Sequence, residues 1–217
     1  MFVKICGTTN EDDALLAVAM GADAVGFVFA TSPRQIAPQV AADIAKRLPF
    51  ETITVGVFRD EAPQRVVEVA QRAGVRAVQL SGHENAETAR WIGERVPMLI
   101  QGFSAGDPRV RQAADYEADA ILLDAPHPGS GKVFDWAFAS EVPVGQQLII
   151  AGGLTTDNVA AAIARTKPWG VDVVTGVERG PGQKDPVKLR EFIAAAKAAA
   201  PAGYEPRTEA PYDWQDE

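Results

Sequence analysis

The 217-residue chain predicts an α/β fold, a single-domain (β/α)8 TIM barrel, on three observations. Short apolar runs recur at fairly regular spacing, helix-like segments separate most of them, and a faint internal repeat is visible. GADAVGFV from Gly21 resembles EADAILLD from Glu117, and VRAVQL from Val75 is a shorter echo. Eight strands, each followed by a helix or a helix substitute, fit a closed barrel. A doubly wound open sheet would use fewer strands or a longer chain, and no GxGxxG follows the first run.

The runs are FVKIC from Phe2, ADAVGFVF from Ala22, TITVGVF from Thr52, RAVQL from Arg76, PMLIQGF from Pro97, ADAILLD from Ala118, QLIIAGG from Gln147 and VDVVTG from Val171. They are rich in Val, Ile and Phe and nearly continuous, as strands of a parallel sheet covered on both faces are. Glu11 to Met20 reads as a helix capped by Asn10 and stopped by Gly21. Ala62 to Ala73 has Pro63 in its first turn and Gly74 after its end. Glu84 to Val96, Asp157 to Arg165 and Val187 to Ala200 carry comparable patterns, whereas 107–116 and 136–141 read as short or irregular helices. Residues 1–200 are expected to form the barrel and 201–217 an acidic tail with Tyr204, Tyr212 and Trp214.

A formal charge of −8 argues against nucleic acid as the partner, because neutralising phosphates needs clustered Lys and Arg. No apolar run approaches the roughly 20 residues of a membrane span, and no signal peptide is expected before the first strand. The single cysteine excludes an internal disulfide framework and fits a reducing compartment. The expectation is a cytoplasmic protein, monomeric or homodimeric, acting on a small molecule. His83 and His127 are too scattered for a metal site, so no metal or cofactor is expected.

In such barrels chemistry gathers at the carboxyl ends of the strands. Cys6 ends the first strand, Arg34 follows the second after Ser32 and Pro33, and Asp124 ends the sixth. A thiol and a carboxyl across one mouth make an acid/base pair; the bland alternatives are a small buried filler and a turn former. Strand alternation turns Lys4 inward with Cys6, either to favour the thiolate or to neutralise an interior carboxylate such as Asp172. Gly152 and Gly153 after the seventh strand let backbone approach an anion. Thr155 or Thr156 would start a helix aimed back at it. Thr175 and Gly176 supply a second turn after the eighth strand, and paired turns here are the recurrent phosphate site of this barrel type. The glycine-rich stretch after Asp124, with Gly129, Gly131 and Lys132, reads as a lid.

KICG at 4–7, GADAVGFVF at 21–29, SPR at 32–34, GVF at 56–58, VQL at 78–80, LLD at 122–124, GSGKVFDW at 129–136, AGGL at 151–154 and GVE at 176–178 resemble the phosphoribosylanthranilate isomerase family, in order and over nearly the whole chain to about residue 200. The resemblance implies a cofactor-free and metal-free Amadori rearrangement of a phosphoribosyl substrate in tryptophan biosynthesis. It also implies Asp124 as general acid, Cys6 as general base, Arg34 opposite the anthranilate carboxylate and Gly153 at the phosphate. A barrel isomerase of histidine biosynthesis, the nearest alternative, would carry Asp where Cys6 stands. This chain departs from the family's usual His-Gly at Ser81-Gly82 (with His83 following), from its Ser-Ser-Gly at Val174-Thr175-Gly176, and in the lid at Pro126-His127-Pro128.

Overall fold

Phe2–Ile5 forms β1, and seven further parallel strands follow: β2 (Ala24–Val28), β3 (Ile53–Phe58), β4 (Ala77–Leu80), β5 (Leu99–Ser104), β6 (Ala120–Asp124), β7 (Leu148–Ile150) and β8 (Gly170–Val173). Each pairs with its sequence neighbour, and β8 closes on β1 in the register Phe2 to Gly170 and Lys4 to Asp172. The sheet is therefore a closed barrel, without the exposed edges an open sheet must protect. The computed structural model describes residues 1–125, 135–201 and 204. Of the expected lid, APHPGSGKVFDW from Ala125, residues 126–134 lie outside them, as does most of the acidic tail.

The helices are α1 (Glu11–Ala19), α2 (Pro38–Ala45), α3 (Pro63–Ala73), α4 (Ala86–Gly93), α5 (Val159–Thr166) and α6 (Pro186–Ala198). Their ends follow local chemistry. Asn10 accepts from the Asp13 N–H at 2.9 Å to cap α1, and Gly74 ends α3 in the left-handed region at φ 62°. Helix α2 is not among the sequence-predicted segments. It is short and its N-cap, Ala37, offers no side chain; Pro38 at its start is the one signal. After β5 and β6, 3₁₀ segments (Pro108–Tyr116 and Trp136–Glu141) stand in for helices, as the weak patterns there suggested.

Two apolar layers result. Val3, Ile5, Phe27, Leu80, Leu123 and Ile150 face the helices, and burying each such side chain is worth roughly 1.5–3 kcal/mol. Ala24, Val55, Ala77, Ile100, Leu122 and Ile149 fill the barrel interior. Phe2, stacked on Trp169 at 4.3 Å between ring centroids, plugs the amino-terminal end. The interior is thus packed from below, and polar groups are confined to its middle and upper levels. Among the described residues no helix is long and apolar enough to cross a membrane.

Candidate active site

Alternation along β1 sends Val3 and Ile5 outward into the helix-facing core, leaving Lys4 and then Cys6 on the interior side. Lys4 is fully buried and its Nζ donates to Asp172 Oδ1 at 2.8 Å across the β1–β8 seam. Of the two roles open to Lys4, the ion pair with Asp172 is therefore formed; the same ammonium also acts on the thiol above it. Burial drives the Cys6 thiol above its ordinary pKa. Lys4 and Lys184 pull it down, Asp172 pushes it up, and the net direction is upward.

Strand β2 makes the room. A Cβ at Gly26 would lie 2.7 Å from Cys6 Sγ and 3.2 Å from Lys4 Nζ, so a glycine here admits both groups.

Asp124 ends β6. Burial and then the negative charge of Asp172 raise its carboxyl to about 6, although the Ala125 N–H donates to Oδ1 at 2.7 Å. It borders a cleft of about 500 Å³ with Arg59, Ser81, Gly102, Ser104 and Arg109, and a narrower recess with Gly152, Gly153, Asp172 and Thr175. The carboxyl thus stands between the open mouth and the loops after β7 and β8.

Those loops meet. A Cβ at Gly176 would fall 1.9 Å from the Leu154 carbonyl oxygen, and one at Gly152 (φ 78°) would lie 2.5 Å from the Ala125 nitrogen and 2.8 Å from Asp124 Oδ1. Gly152 therefore seats the Asp124 carboxyl, a task apart from any contact with an anion. One expectation is corrected. The helix after β7 starts at Val159, not at Thr155 or Thr156. Asn158 prevents the earlier start: its Oδ1 accepts from the Thr155 N–H at 2.8 Å and its Nδ2 donates to the Gly153 carbonyl at 2.9 Å. A side chain that closes a turn in this way competes with helix. Thr175 opens a 3₁₀ turn, Thr175–Val177, as the second part of the rim.

Arg34 crosses the β1 exit. A Cβ at Gly7 (φ 69°) would lie 2.6 Å from Arg34 Cδ, so the glycine gives the arginine its path. The guanidinium ends in a fork on Glu178, with Nε 2.9 Å from Oε1 and Nη2 2.7 Å from Oε2. Glu178 opens β9 (Glu178–Gly180), which pairs antiparallel with β10 (Gln183–Lys184) in a hairpin that the sequence reading treats only as a glycine-bearing turn. Neither Glu178 nor Lys184 was singled out there. The signal for the first was its place in GVE; a lysine two residues after Gly182 in a polar stretch gave none. His83 is exposed and rests on Asp60, its N–H 2.6 Å from Oδ1, as a loop residue does.

Among the described residues, no three His, Cys, Asp or Glu side chains are grouped to hold a metal ion. What the rim offers is a thiol, a carboxyl near neutrality, an ion pair between them in charge and a cation on a fork.

The family model for N-(5'phosphoribosyl)anthranilate (PRA) isomerase matches residues 3–195. The chain is 47% identical over 204 residues to the N-(5'-phosphoribosyl)anthranilate isomerase of Desulforudis audaxviator, covering 91% of this chain and 98% of that one. It is 46% identical over 205 residues to that of Trichlorobacter lovleyi, covering 91% and 98%. The crystal structure of the Thermus thermophilus phosphoribosyl anthranilate isomerase superposes with a TM-score of 0.86 at 40% identity, covering 91% of this chain and 99% of that one. Another solved isomerase, in complex with reduced 1-(o-carboxyphenylamino)-1-deoxyribulose 5-phosphate, superposes at 0.80 with 40% identity and the same coverage. By sequence from residue 3 to residue 195 and by fold, this chain belongs to the N-(5'-phosphoribosyl)anthranilate isomerase family of tryptophan biosynthesis.

Proposed function

We propose that the chain converts N-(5-phosphoribosyl)anthranilate into 1-(2-carboxyphenylamino)-1-deoxyribulose 5-phosphate, with Asp124 as general acid and Cys6 as general base. The observation that carries this reading is that Cys6 and Asp124 both feel the buried Lys4–Asp172 pair, while burial lifts Asp124 to about 6. A carboxyl in that range can hold or release a proton near neutral pH, as ring opening requires.

Asp124 protonates the furanose ring oxygen, the bond from that oxygen to C1 breaks, and the anilino nitrogen takes up the resulting cation as an iminium. The Cys6 thiolate then removes the proton from C2, and the electron pair forms the C1–C2 double bond of an enolamine. Protonation at C1 and loss of the C2 hydroxyl proton give the ketone, so atoms and charge balance with no net redox change. Arg34 faces the anthranilate carboxylate. Gly152, Gly153, Thr175 and Gly176 receive the phosphate on backbone donors. Every residue assigned comes from one chain, which makes a monomer or a homodimer equally competent, and the working thiol suits the reducing cytoplasm.

With Asp124 at about 6 and the Cys6 thiol raised by burial, the pair near neutral pH favours an ionised Asp124 and a neutral Cys6. The productive form carries the same total of protons with one moved from sulfur to carboxyl. Its fraction is independent of pH between the two apparent pKa values. Catalysis draws on a minor species.

The test is the decay of substrate fluorescence with freshly made phosphoribosylanthranilate, in the presence of chelator, for the native protein and for Cys6→Ser and Asp124→Asn. The product is identified as the ribulose derivative. Rapid conversion, slowed at least about 10²-fold in both variants, is expected. Conversion no faster than spontaneous hydrolysis would reject the reading and bring forward the histidine-pathway substrate.

A further inference from the structure

The β9–β10 hairpin holds a buried ionic triad outside the acid/base pair. The Glu178 and Lys184 side chains are 4% and 0% exposed. Glu178 receives both arms of the Arg34 fork, the Lys184 ammonium at 3.2 Å and the Gly182 N–H at 3.1 Å. Lys184 also donates to the Cys6 carbonyl at 2.5 Å, so the group that steadies Glu178 is tied to the end of β1. The hairpin itself is anchored: Thr9 Oγ1 donates to the Gly182 carbonyl at 2.6 Å, and the Lys184 N–H donates to Asp13 at 2.9 Å. Removing solvent from these charges is costly unless they recover it in paired contacts.

A guanidinium has two edges able to grip a carboxylate. Glu178 occupies the Nε–Nη2 edge of Arg34 with both oxygens, which fixes the guanidinium plane and leaves the Nη1–Nη2 edge for a second carboxylate. Two further charges decide what that edge can attract. Arg34 with Glu178 alone is neutral; Lys184, whose pKa burial lowers and Glu178 opposes, makes the cluster net positive beside the β1 exit while its ammonium is charged. An anionic aromatic acid meets an arginine that is both oriented and uncancelled.

We propose that Glu178 is the positioning residue for Arg34, holding its guanidinium to receive the substrate's aromatic carboxylate, with Lys184 clamping Glu178 in place. The proposal rests on the reading of Arg34 given above. It assigns Glu178 no contact with the reacting atoms.

The test is a double-mutant cycle on steady-state kinetics with phosphoribosylanthranilate, using Glu178→Gln, Arg34→Met and the pair, with Glu178→Asp as the conservative variant should Glu178→Gln fail to fold. Glu178→Gln is expected to raise KM about 10- to 100-fold, the scale of a misplaced positioning contact, with kcat changed far less. That loss should vanish in the Arg34→Met background. Inhibition by ribose 5-phosphate, which carries no aromatic carboxylate, should be unchanged. A Glu178 effect that persists undiminished without Arg34, falls on kcat alone, or weakens ribose 5-phosphate equally would overturn the proposal. Arg34→Met with a native KM would instead reject the Arg34 assignment itself, and the proposal with it. A raised KM in Arg34→Met beside a native Glu178→Gln would reject the Glu178 role alone.

Discussion

Lys4 Nζ lies 2.8 Å from Asp172 Oδ1 inside the barrel, and of this ion pair the ammonium weighs more on Cys6 and the carboxylate more on Asp124. On Cys6, the ammonium favours the thiolate and the carboxylate opposes it; on Asp124, the carboxylate favours the neutral acid and the ammonium opposes it. Burial adds to both in one direction, towards the uncharged form. The result is two groups whose proton affinities lie on either side of neutrality, with the carboxyl the more readily ionised.

The pH profile of kcat/KM should therefore be bell-shaped, rising through about 6 and falling only above the ordinary thiol range. Kinetics alone cannot say which limb belongs to which group, so the thiolate absorbance of Cys6 is titrated beside it. A thiolate that appears below neutral pH would contradict the buried environment described for Cys6.

Asp124→Asn should make the protein more stable at pH 8 while slowing turnover at least about 10²-fold. The folded carboxyl titrates at about 6 against about 3.9 in the unfolded chain, so the native state binds the proton more tightly. Native stability then falls as pH rises from about 4 through 6, and the ionised form costs roughly 1–3 kcal/mol above that window. Asparagine escapes this cost. Urea unfolding should show the variant's advantage at pH 8 and its disappearance below pH 4; equal stability at both would refute the shift.

Lys4→Met leaves Asp172 buried without its partner. A loss of about 3–5 kcal/mol is expected, the usual result of breaking a buried pair from one side. Asp172→Leu in the same chain should recover part of it. Where Lys4→Met remains folded, Cys6 should titrate still higher than in the native protein. An unchanged thiol titration would show that Lys4 serves Asp172 alone.

Gly26→Ala places a methyl group 2.7 Å from Cys6 Sγ and 3.2 Å from Lys4 Nζ. The thiol must move, because the strand backbone on either side is held by barrel hydrogen bonds. We expect a stability loss of about 1–3 kcal/mol by overpacking and a fall in kcat exceeding any rise in KM. Gly180→Ala, where an added Cβ meets nothing within 4 Å, is the control and should change neither.

By itself the sequence determined the barrel, because eight buried parallel strands leave apolar runs that periodicity exposes, and Asn10, Pro63 and Gly74 mark helix ends through contacts only a few residues long. It also put Cys6, Arg34, Asp124 and the two glycine turns on one rim, since in a parallel barrel every strand ends on the same side. Helix α2 escaped it because so short a segment, without a capping side chain, is fixed by packing on its neighbours and not by its own pattern. Only the closed tertiary structure decided that Lys4 meets Asp172, 168 residues away, that Gly26 makes room for Cys6, and that Arg34 is gripped by Glu178 from a hairpin 144 residues on. Such pairings depend on how β1 and β8 register when the barrel closes and on which side chains lose water together. Neither quantity exists until the chain has folded.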